Sequence, residues 1–555
     1  MTTAPRPSRR LEILVGLVLT AVIVCLHAVR FVKAGALWRD EAAAVGLATL
    51  SPVREVVRHF PHEAFPLLVP AAIRTVAWAS GNSDWGFRAF GMLVGLSILA
   101  ALWWTTWTVR RSPPLLSLAL LGFNSAFLVY GDSVRGYGLG TFFMVLTAGL
   151  VWRVVERPTS WRIASAALGA VASVQCLLHN PPLVLAICLG GVAVAWRRGA
   201  WRLTAVVLLI GVAAAISLLP YWALLRSARG WDVLVRKPVA LREIWLEFHQ
   251  TLAASGLSNA WFWTLLFFSG LAVELRSRFK PRQVRSPAVP PDDRESDLLL
   301  FAGTALLLAV GGCFCFLKLL SYPTRPWYYI AVMGLAAVLL DLIFDTLRQA
   351  RWVRPSRLVL VIALAASSLP LTWSQVQVRQ TNVDLVAVRL GQLAAPDDLI
   401  FVYPWHNGIS FERYYRGPTP WMTLPPLNFH RFHRYDLVQA QMNSPDTVQP
   451  LRPLFDGIRT TLVRGHRLWI VGNFPAAPES LEGRSPENVI SITWSIKVAE
   501  FLRASARHLE NVRVESYGPV SPFEDLPLKF VEGWSGPLSS HSSYPSQASR
   551  LALQP

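Results

Sequence analysis

Apolar residues fall into long blocks along the first two thirds of this chain, separated by short polar connections. Eleven blocks stand out, at residues 11–31, 88–108, 113–130, 137–155, 161–178, 181–196, 201–225, 257–275, 298–320, 326–347 and 356–373. Each is near the ~20 residues with which a helix crosses a bilayer. The pattern therefore predicts a polytopic α-helical membrane protein with about 11 transmembrane helices. Two connections are long. Residues 32–87 carry amphipathic stretches at 41–50 and 52–60 and an apolar one at 66–79, which predicts helices lying at the membrane interface. Residues 226–255 alternate aromatic and charged positions, among them Trp231, Trp245, Phe248 and His249.

Beyond residue 373 the pattern changes. Helix-like segments (383–394, 496–509) alternate with strand-like runs (399–403, 468–471, 512–516, 528–531). That alternation predicts a small α/β domain over residues 374–533. The Ser/Pro-rich stretch 534–555 predicts a disordered tail. The run from Tyr403 to Gly408 ends a strand, but no glycine-rich phosphate loop follows it, so a nucleotide site is not expected there. Shielding of a site or binding of an acceptor is the expected role of this domain.

Composition agrees with a membrane chain: 53% of the 555 residues are hydrophobic, and the mean hydropathy is +0.38. The net charge of +19 raises the question of nucleic acid. The arginines, however, sit in short connections rather than in one patch. With the N-terminus in the cytoplasm, the cytoplasmic connections hold Arg6, Arg9 and Arg10, then Arg110 and Arg111, then Arg153, Arg157 and Arg162, then Arg197, Arg198 and Arg202. They also hold the loop 276–297 and the group Arg348, Arg351, Arg354 and Arg357. This is the positive-inside bias, so the charge reports topology and implies no nucleic-acid partner. The same count places the C-terminal domain outside. Arg9 and Arg10 before the first block also resemble a signal peptide, but the block is long for one and reads as a retained helix. All five cysteines lie in apolar blocks, which leaves no disulfide framework and no zinc spacing.

The unusual polar residues all fall on the predicted outer face. Asp40, Glu41, His59, His62 and Glu63 lie in the first loop, Asp132, Arg135 and Tyr137 around the end of the third block, His179 and Asn180 between the fifth and sixth, and Arg325 before the tenth. Ionisable residues at a membrane boundary are costly and need a reason. Transfer of a sugar from a polyprenyl phosphate supplies one. The departing phosphate needs cations, and arginine fits phosphate oxygens bidentately, which makes Arg135 and Arg325 candidates. The attacking acceptor group needs a base, and Asp40 is the candidate. Asp40 and Glu41 also suit the first turn of a helix. His59, His62 and Glu63 lack the further ligands of a metal cluster, so no metal site is expected there.

Trp38-Arg39-Asp40-Glu41 after a first span resembles the first-loop Asp-Glu motif of the GT-C glycosyltransferases. Within that class the chain most resembles the dolichyl-phosphate-mannose protein mannosyltransferases (family 39) and the lipid A aminoarabinose transferases. His62-Glu63 followed by Phe65-Pro66-Leu67 resembles an HPPL-type stretch, with Phe65 in place of one proline. The run from Tyr130 to Tyr137 resembles a Y-x-x-E-x-R-x-Y stretch, with Ser133 in place of the glutamate. His179-Asn180-Pro181 and Arg325-Pro326-Trp327-Tyr328-Tyr329 resemble two later steps of the same pattern. The resemblance covers about residues 11–350. It implies a GT-C fold, a polyprenyl-phosphate sugar donor and transfer on the outer face of the membrane. It also implies Asp40 as base or acceptor-positioning residue, with Glu41 and Glu63 as further catalytic acids. Arg135, Tyr137, His179 and Arg325 would then hold the donor phosphate and sugar. A divalent cation is compatible with the resemblance, and neither the sugar nor the acceptor (protein, lipid or cell-envelope glycan) is specified. A flippase for a lipid-linked glycan and a non-catalytic envelope scaffold are the alternatives. Transporters tend to show repeated halves, and no repeat of 20–50 residues is visible here.

Overall fold

The computed structural model describes residues 6–63, 65–227, 231, 234, 236–279, 293–347, 352–473, 486–516 and 518–536. The expected tail beyond residue 536, and residues 280–292 and 348–351 of two arginine-bearing connections, lie outside the described residues. The chain divides into two compact units. One holds residues 1–380 together with 431–435 and 518–521; the other holds 381–430, 436–517 and 522–555.

The first unit is helical. Among the described residues six helices are long and apolar enough to cross a membrane: Arg9–Lys33, Asp84–Arg110, Gly136–Glu156, Arg294–Leu320, Pro326–Asp345 and Val353–Val376. Helices Pro181–Arg197 and Trp201–Ile216 are apolar but shorter, and Ser160–Cys176 has 17 residues. Two of the eleven blocks differ from single straight spans, and a third, 257–275, is one helix that follows a sharp bend. The block 201–225 ends its first helix at Ile216, and a separate helix Tyr221–Ser227 follows. The helix Leu257–Arg276 meets Leu241–Ser255 at 115°. The block 113–130 is broken near Phe123, with a helix Ser125–Gly131 beyond the break.

These last two breaks stabilise each other. An unpaired backbone group in hydrocarbon costs several kcal/mol, so a broken helix persists only where protein satisfies its ends. Asn124 Nδ2 donates to the carbonyls of Thr251 and Leu252, and Ser125 Oγ donates to the carbonyl of Ala254. The Ser125 amide donates to Ser255 Oγ, and Thr372 Oγ1 donates to the carbonyl of Phe123. Polarity at Asn124, Ser125, Ser255 and Thr372 therefore makes both breaks possible.

Among the described residues, arginines of the short connections gather at one end of the unit. Arg110 pairs with Asp345 at 2.9 Å, Arg357 with Asp341 at 2.8 Å, and Arg294 with Glu156 at 2.6 Å. Asp341 and Asp345 stand near the end of the helix Ile330–Asp345, while Arg325 precedes its start. Sixteen residues of helix separate the two ends by ~24 Å.

The first loop forms helices Arg39–Ala48, Val53–His59 and Leu68–Ser80, close to the expected stretches. The second unit carries a five-stranded sheet in the order β2-β1-β3-β5-β4, with β1 Leu399–Val402, β2 Trp421–Thr423, β3 Leu468–Val471, β4 Ala506–Val512 and β5 Leu528–Trp534. β1 pairs in parallel with β2 and β3, and β5 runs antiparallel to β3 and β4. The helix Val383–Leu393 buries Val383, Val386, Ala387 and Leu390, spaced as one helical face, against Ile400, Val402 and Trp469. One expectation fails here. The helix expected over 496–509 spans Pro486–Ser505, and the chain passes directly into β4 rather than into a strand at 512–516. Pairing of β4 with β5 across six residues overrides the helix-compatible pattern at 506–509.

Candidate active site

Gly35 turns the chain after the first span at φ +70°, and the helix Arg39–Ala48 follows with Asp40 and Glu41 in its first turn. The two acids then diverge. Glu41 is fully buried; its Oε1 accepts from Arg88 Nη1 at 2.9 Å and from the Val134 amide at 3.0 Å. Arg88 also donates to the carbonyls of Gly35 and Ala36. Glu41 thus ties the first loop to a membrane helix and to the turn that presents Arg135.

Asp40 keeps 17% of its side chain exposed. Its Oδ1 accepts from Arg39 Nε at 3.3 Å and lies 3.8 Å from His433 Nε2. Its Oδ2 makes no hydrogen bond among the described residues. Glu63 is the opposite case, with both oxygens engaged. Oε1 accepts from the His433 amide at 3.3 Å and meets His433 Nδ1 at 2.6 Å; Oε2 accepts from Arg135 Nη1 at 3.0 Å. Arg135 Nη1 also donates to the carbonyl of Asp40 at 2.7 Å, and its guanidinium lies over the Phe65 ring at 4.4 Å. Arg135 Nη1 thus braces the two acidic loops, while its Nε is buried with no hydrogen-bond partner among the described residues.

Charge balance follows from these contacts. Burial pushes the Asp40 carboxyl upward, and the charges of Arg135, Arg39 and His433 more than offset it, holding it below the usual aspartate value. Burial acts on Glu63 in the same way and is outweighed by His433 and Arg135, with Asp40 opposing them. Both carboxyls are ionised at neutral pH.

The donor-side candidates form an aromatic wall beside this cluster. Tyr137 packs edge-on to Phe65 at 5.7 Å and near Trp327 at 6.3 Å, and Trp327 packs on Trp38 and Tyr130. His179 stacks on Tyr328 at 4.7 Å. Burial lowers His179 to about 4, so its ring is neutral, and both ring nitrogens are buried with no hydrogen-bond partner among the described residues. Arg325 precedes Trp327 and Tyr328, is exposed, and its guanidinium makes no hydrogen bond or ion pair among the described residues. Phe248, whose ring meets Tyr329 at 5.2 Å, lines an apolar cleft of about 80 Å³ together with residues that include Trp245, Phe267, Val310, Met333 and Leu340.

Sequence reasoning missed the segment 431–435. Phe432 is buried against His59 and His62, and His433 stacks on Tyr435 at 5.5 Å. Tyr435 stacks on Trp231, which stacks on His62 at 5.0 Å. A signal was present: the run from Phe429 to Tyr435 holds two Phe, two His, two Arg and a Tyr in seven residues, too dense in recognition side chains for a plain linker. Asp132, noted beside Arg135 in the sequence, is turned instead to His27 at 2.7 Å. Among the described residues no group of three His, Cys, Asp or Glu is placed to hold a metal ion.

No family model and no curated protein sequence matches the chain. Among solved structures, ArnT from Cupriavidus metallidurans bound to undecaprenyl phosphate is 12% identical, with a TM-score of 0.50, covering 93% of this chain and 97% of that one. The Archaeoglobus fulgidus oligosaccharyltransferase tethered to an acceptor peptide is 11% identical, with a TM-score of 0.47, covering 94% of this chain and 74% of that one. The likeness to ArnT gives this chain the GT-C fold of membrane glycosyltransferases.

Proposed function

We propose that this protein is an inverting glycosyltransferase that moves a sugar from a polyprenyl-phosphate donor to an acceptor on the outer face of the membrane. The observation that carries the reading is the division of labour among three acids. Glu41 is buried in an ion pair and Glu63 has both oxygens engaged, so Asp40 alone presents a partly exposed carboxylate with a free oxygen. That oxygen is placed to take the proton of an acceptor hydroxyl or amine as it attacks the anomeric carbon. The bond from that carbon to the phosphate oxygen breaks from the opposite face, so the configuration inverts and the phosphate leaves with the electron pair. Arg325 is the cation assigned to the phosphate, since it is exposed while Arg135 Nη1 is held by Glu63 and by the backbone of Asp40. His179 and Tyr137 face the sugar. The apolar cleft beside Phe248 and Tyr329 takes isoprenoid units of the lipid, in keeping with the undecaprenyl phosphate bound by the ArnT neighbour. The arginine-rich end of the unit faces the cytoplasm in this reading, by the positive-inside bias.

The test uses the full chain in lipid nanodiscs with a panel of polyprenyl-phosphate-linked hexoses, pentoses and aminopentoses and a cell-envelope extract as acceptor source. Mass spectrometry follows release of polyprenyl phosphate. Acceptor-dependent release from at least one donor supports the reading; release from none of them overturns it.

A further inference from the structure

Near Asp40, the side chains of Glu247 and Arg325 make no hydrogen bond or ion pair among the described residues. Glu247 stands on the helix Leu241–Leu252, three residues after the buried Ile244 and four before the buried Thr251. That spacing puts it on the side of the helix that faces the protein, where it is half-buried. Arg325 directly precedes the turn Pro326–Tyr329. Two contacts hold the helix against this turn: Tyr329 Oη donates to the carbonyl of Ile244 at 3.0 Å, and the Tyr329 ring meets Phe248 at 5.2 Å. The charge of Arg325 accordingly acts on Glu247. Tyr130 joins both to the base. Its ring packs on Trp327 at 5.1 Å, and the charges of Arg30, Asp40, Glu247 and Arg325 all act on its hydroxyl.

A half-buried carboxyl group with no partner is costly unless a ligand supplies the missing contact. With the donor phosphate on Arg325 and the base at Asp40, the anomeric carbon lies between them, on the side of Tyr130 and Glu247. In a sugar phosphate the polar group closest to the phosphate is the hydroxyl on the carbon next to the anomeric one. We propose that Glu247 is a specificity-determining residue for the donor: its carboxylate accepts a hydrogen bond from that neighbouring hydroxyl of the sugar. This inference rests on the glycosyl-transfer reading, with Arg325 on the phosphate. No proton changes hands in the contact. As the bond to phosphate breaks, positive charge builds on the anomeric carbon, the neighbouring hydroxyl becomes a stronger donor, and its bond to a carboxylate tightens. The contact therefore favours the transition state over the bound donor. The donor class that follows is a hexose or pentose whose hydroxyl beside the anomeric carbon is free.

The test pairs the residue with the hydroxyl. In the nanodisc assay, the panel donor that turns over is compared with its analogue lacking that hydroxyl, for wild type, Glu247→Leu and Glu247→Gln. The quantity read is the ratio of kcat/KM for the parent donor to kcat/KM for the analogue. Comparing ratios between variants cancels the intrinsic reactivity of the analogue and any loss of folded protein. The ratio is expected to fall about tenfold or more in Glu247→Leu, the scale of one hydrogen bond to a charged group. It is expected to fall less in Glu247→Gln, whose amide oxygen still accepts. A fall of less than about threefold in Glu247→Leu overturns the inference. Where Glu247→Leu turns over neither donor, the ratio of Glu247→Gln is read, and no fall there overturns it. An unchanged ratio with active protein overturns this inference alone. Release of polyprenyl phosphate from none of the panel donors by the wild type overturns the proposed function and this inference with it.

Discussion

Replacing Arg135 by methionine isolates the brace between the acidic loops. Methionine keeps much of the packing over Phe65 and removes the guanidinium that serves Glu63 Oε2 and the Asp40 carbonyl. The pair is buried, with 10% of the Arg135 side chain and 2% of the Glu63 side chain exposed, so solvent does little to replace the lost charge. Breaking a buried pair by removing one partner costs about 3–5 kcal/mol. Glu63 keeps His433, which places the expected loss at the lower end, about 3 kcal/mol, or more than a hundredfold in the folding equilibrium. Glu63→Gln in the same background removes the stranded charge, so the double variant is expected to be more stable than the sum of the two single losses by about 1–2 kcal/mol. Reversible SDS unfolding in mixed micelles, followed by tryptophan fluorescence, measures all four proteins. The sign with pH follows from the depressed Glu63 carboxyl. Its contribution is present above the unfolded value of 4.5 and is lost as pH falls through the folded one. The gap between wild type and Arg135→Met should therefore narrow below pH 4.5. Additivity within about 0.5 kcal/mol, or a gap that widens in acid, would refute the brace and return Arg135 to the phosphate.

Other residues give separable outcomes. Glu41→Gln is expected to cost about 3–5 kcal/mol in the same unfolding assay, since it strands the buried Arg88; a stable protein whose kcat alone falls would make Glu41 catalytic. Arg325→Gln is expected to leave stability within about 0.5 kcal/mol, being exposed and without a hydrogen bond or ion pair among the described residues, and to raise donor KM at least about tenfold. An unchanged KM would remove Arg325 from the phosphate. Gly46→Ala improves helix propensity yet is expected to lower kcat, because its methyl displaces the Arg431 carbonyl and with it His433; wild-type kcat would show that the 431–435 segment is not needed for turnover.

What the sequence made legible was whatever a local pattern encodes. Hydrophobic blocks located the helices, amphipathic stretches located those of the first loop, and the spacing of arginines anticipated one charged end of the unit. The two helix breaks were hidden because each is stabilised by the other across more than a hundred residues, through Asn124 and Ser255, and no window along the chain contains both. β4 was misplaced because its partner β5 decides its state. At the site, Asp40, Glu63 and Arg135 were visible as charges in a costly place, but their roles were not. Arg135 read as a phosphate ligand, and the bonds of its Nη1 to Glu63 and to the Asp40 carbonyl are ones that no pattern along the chain announces. Glu41 read as a further catalytic acid, and its pairing with the buried Arg88 was not visible along the chain. His433 lies 370 residues from Glu63, and only a folded chain joins them.

The central claim is that Asp40 removes the acceptor proton during sugar transfer from a polyprenyl phosphate. Asp40→Asn keeps the size and the Arg39 contact and removes the basic oxygen. Turnover of the panel donor is expected to fall by about 100-fold or more while donor KM and the unfolding midpoint stay near wild type. Wild-type turnover by a folded Asp40→Asn protein would contradict the account.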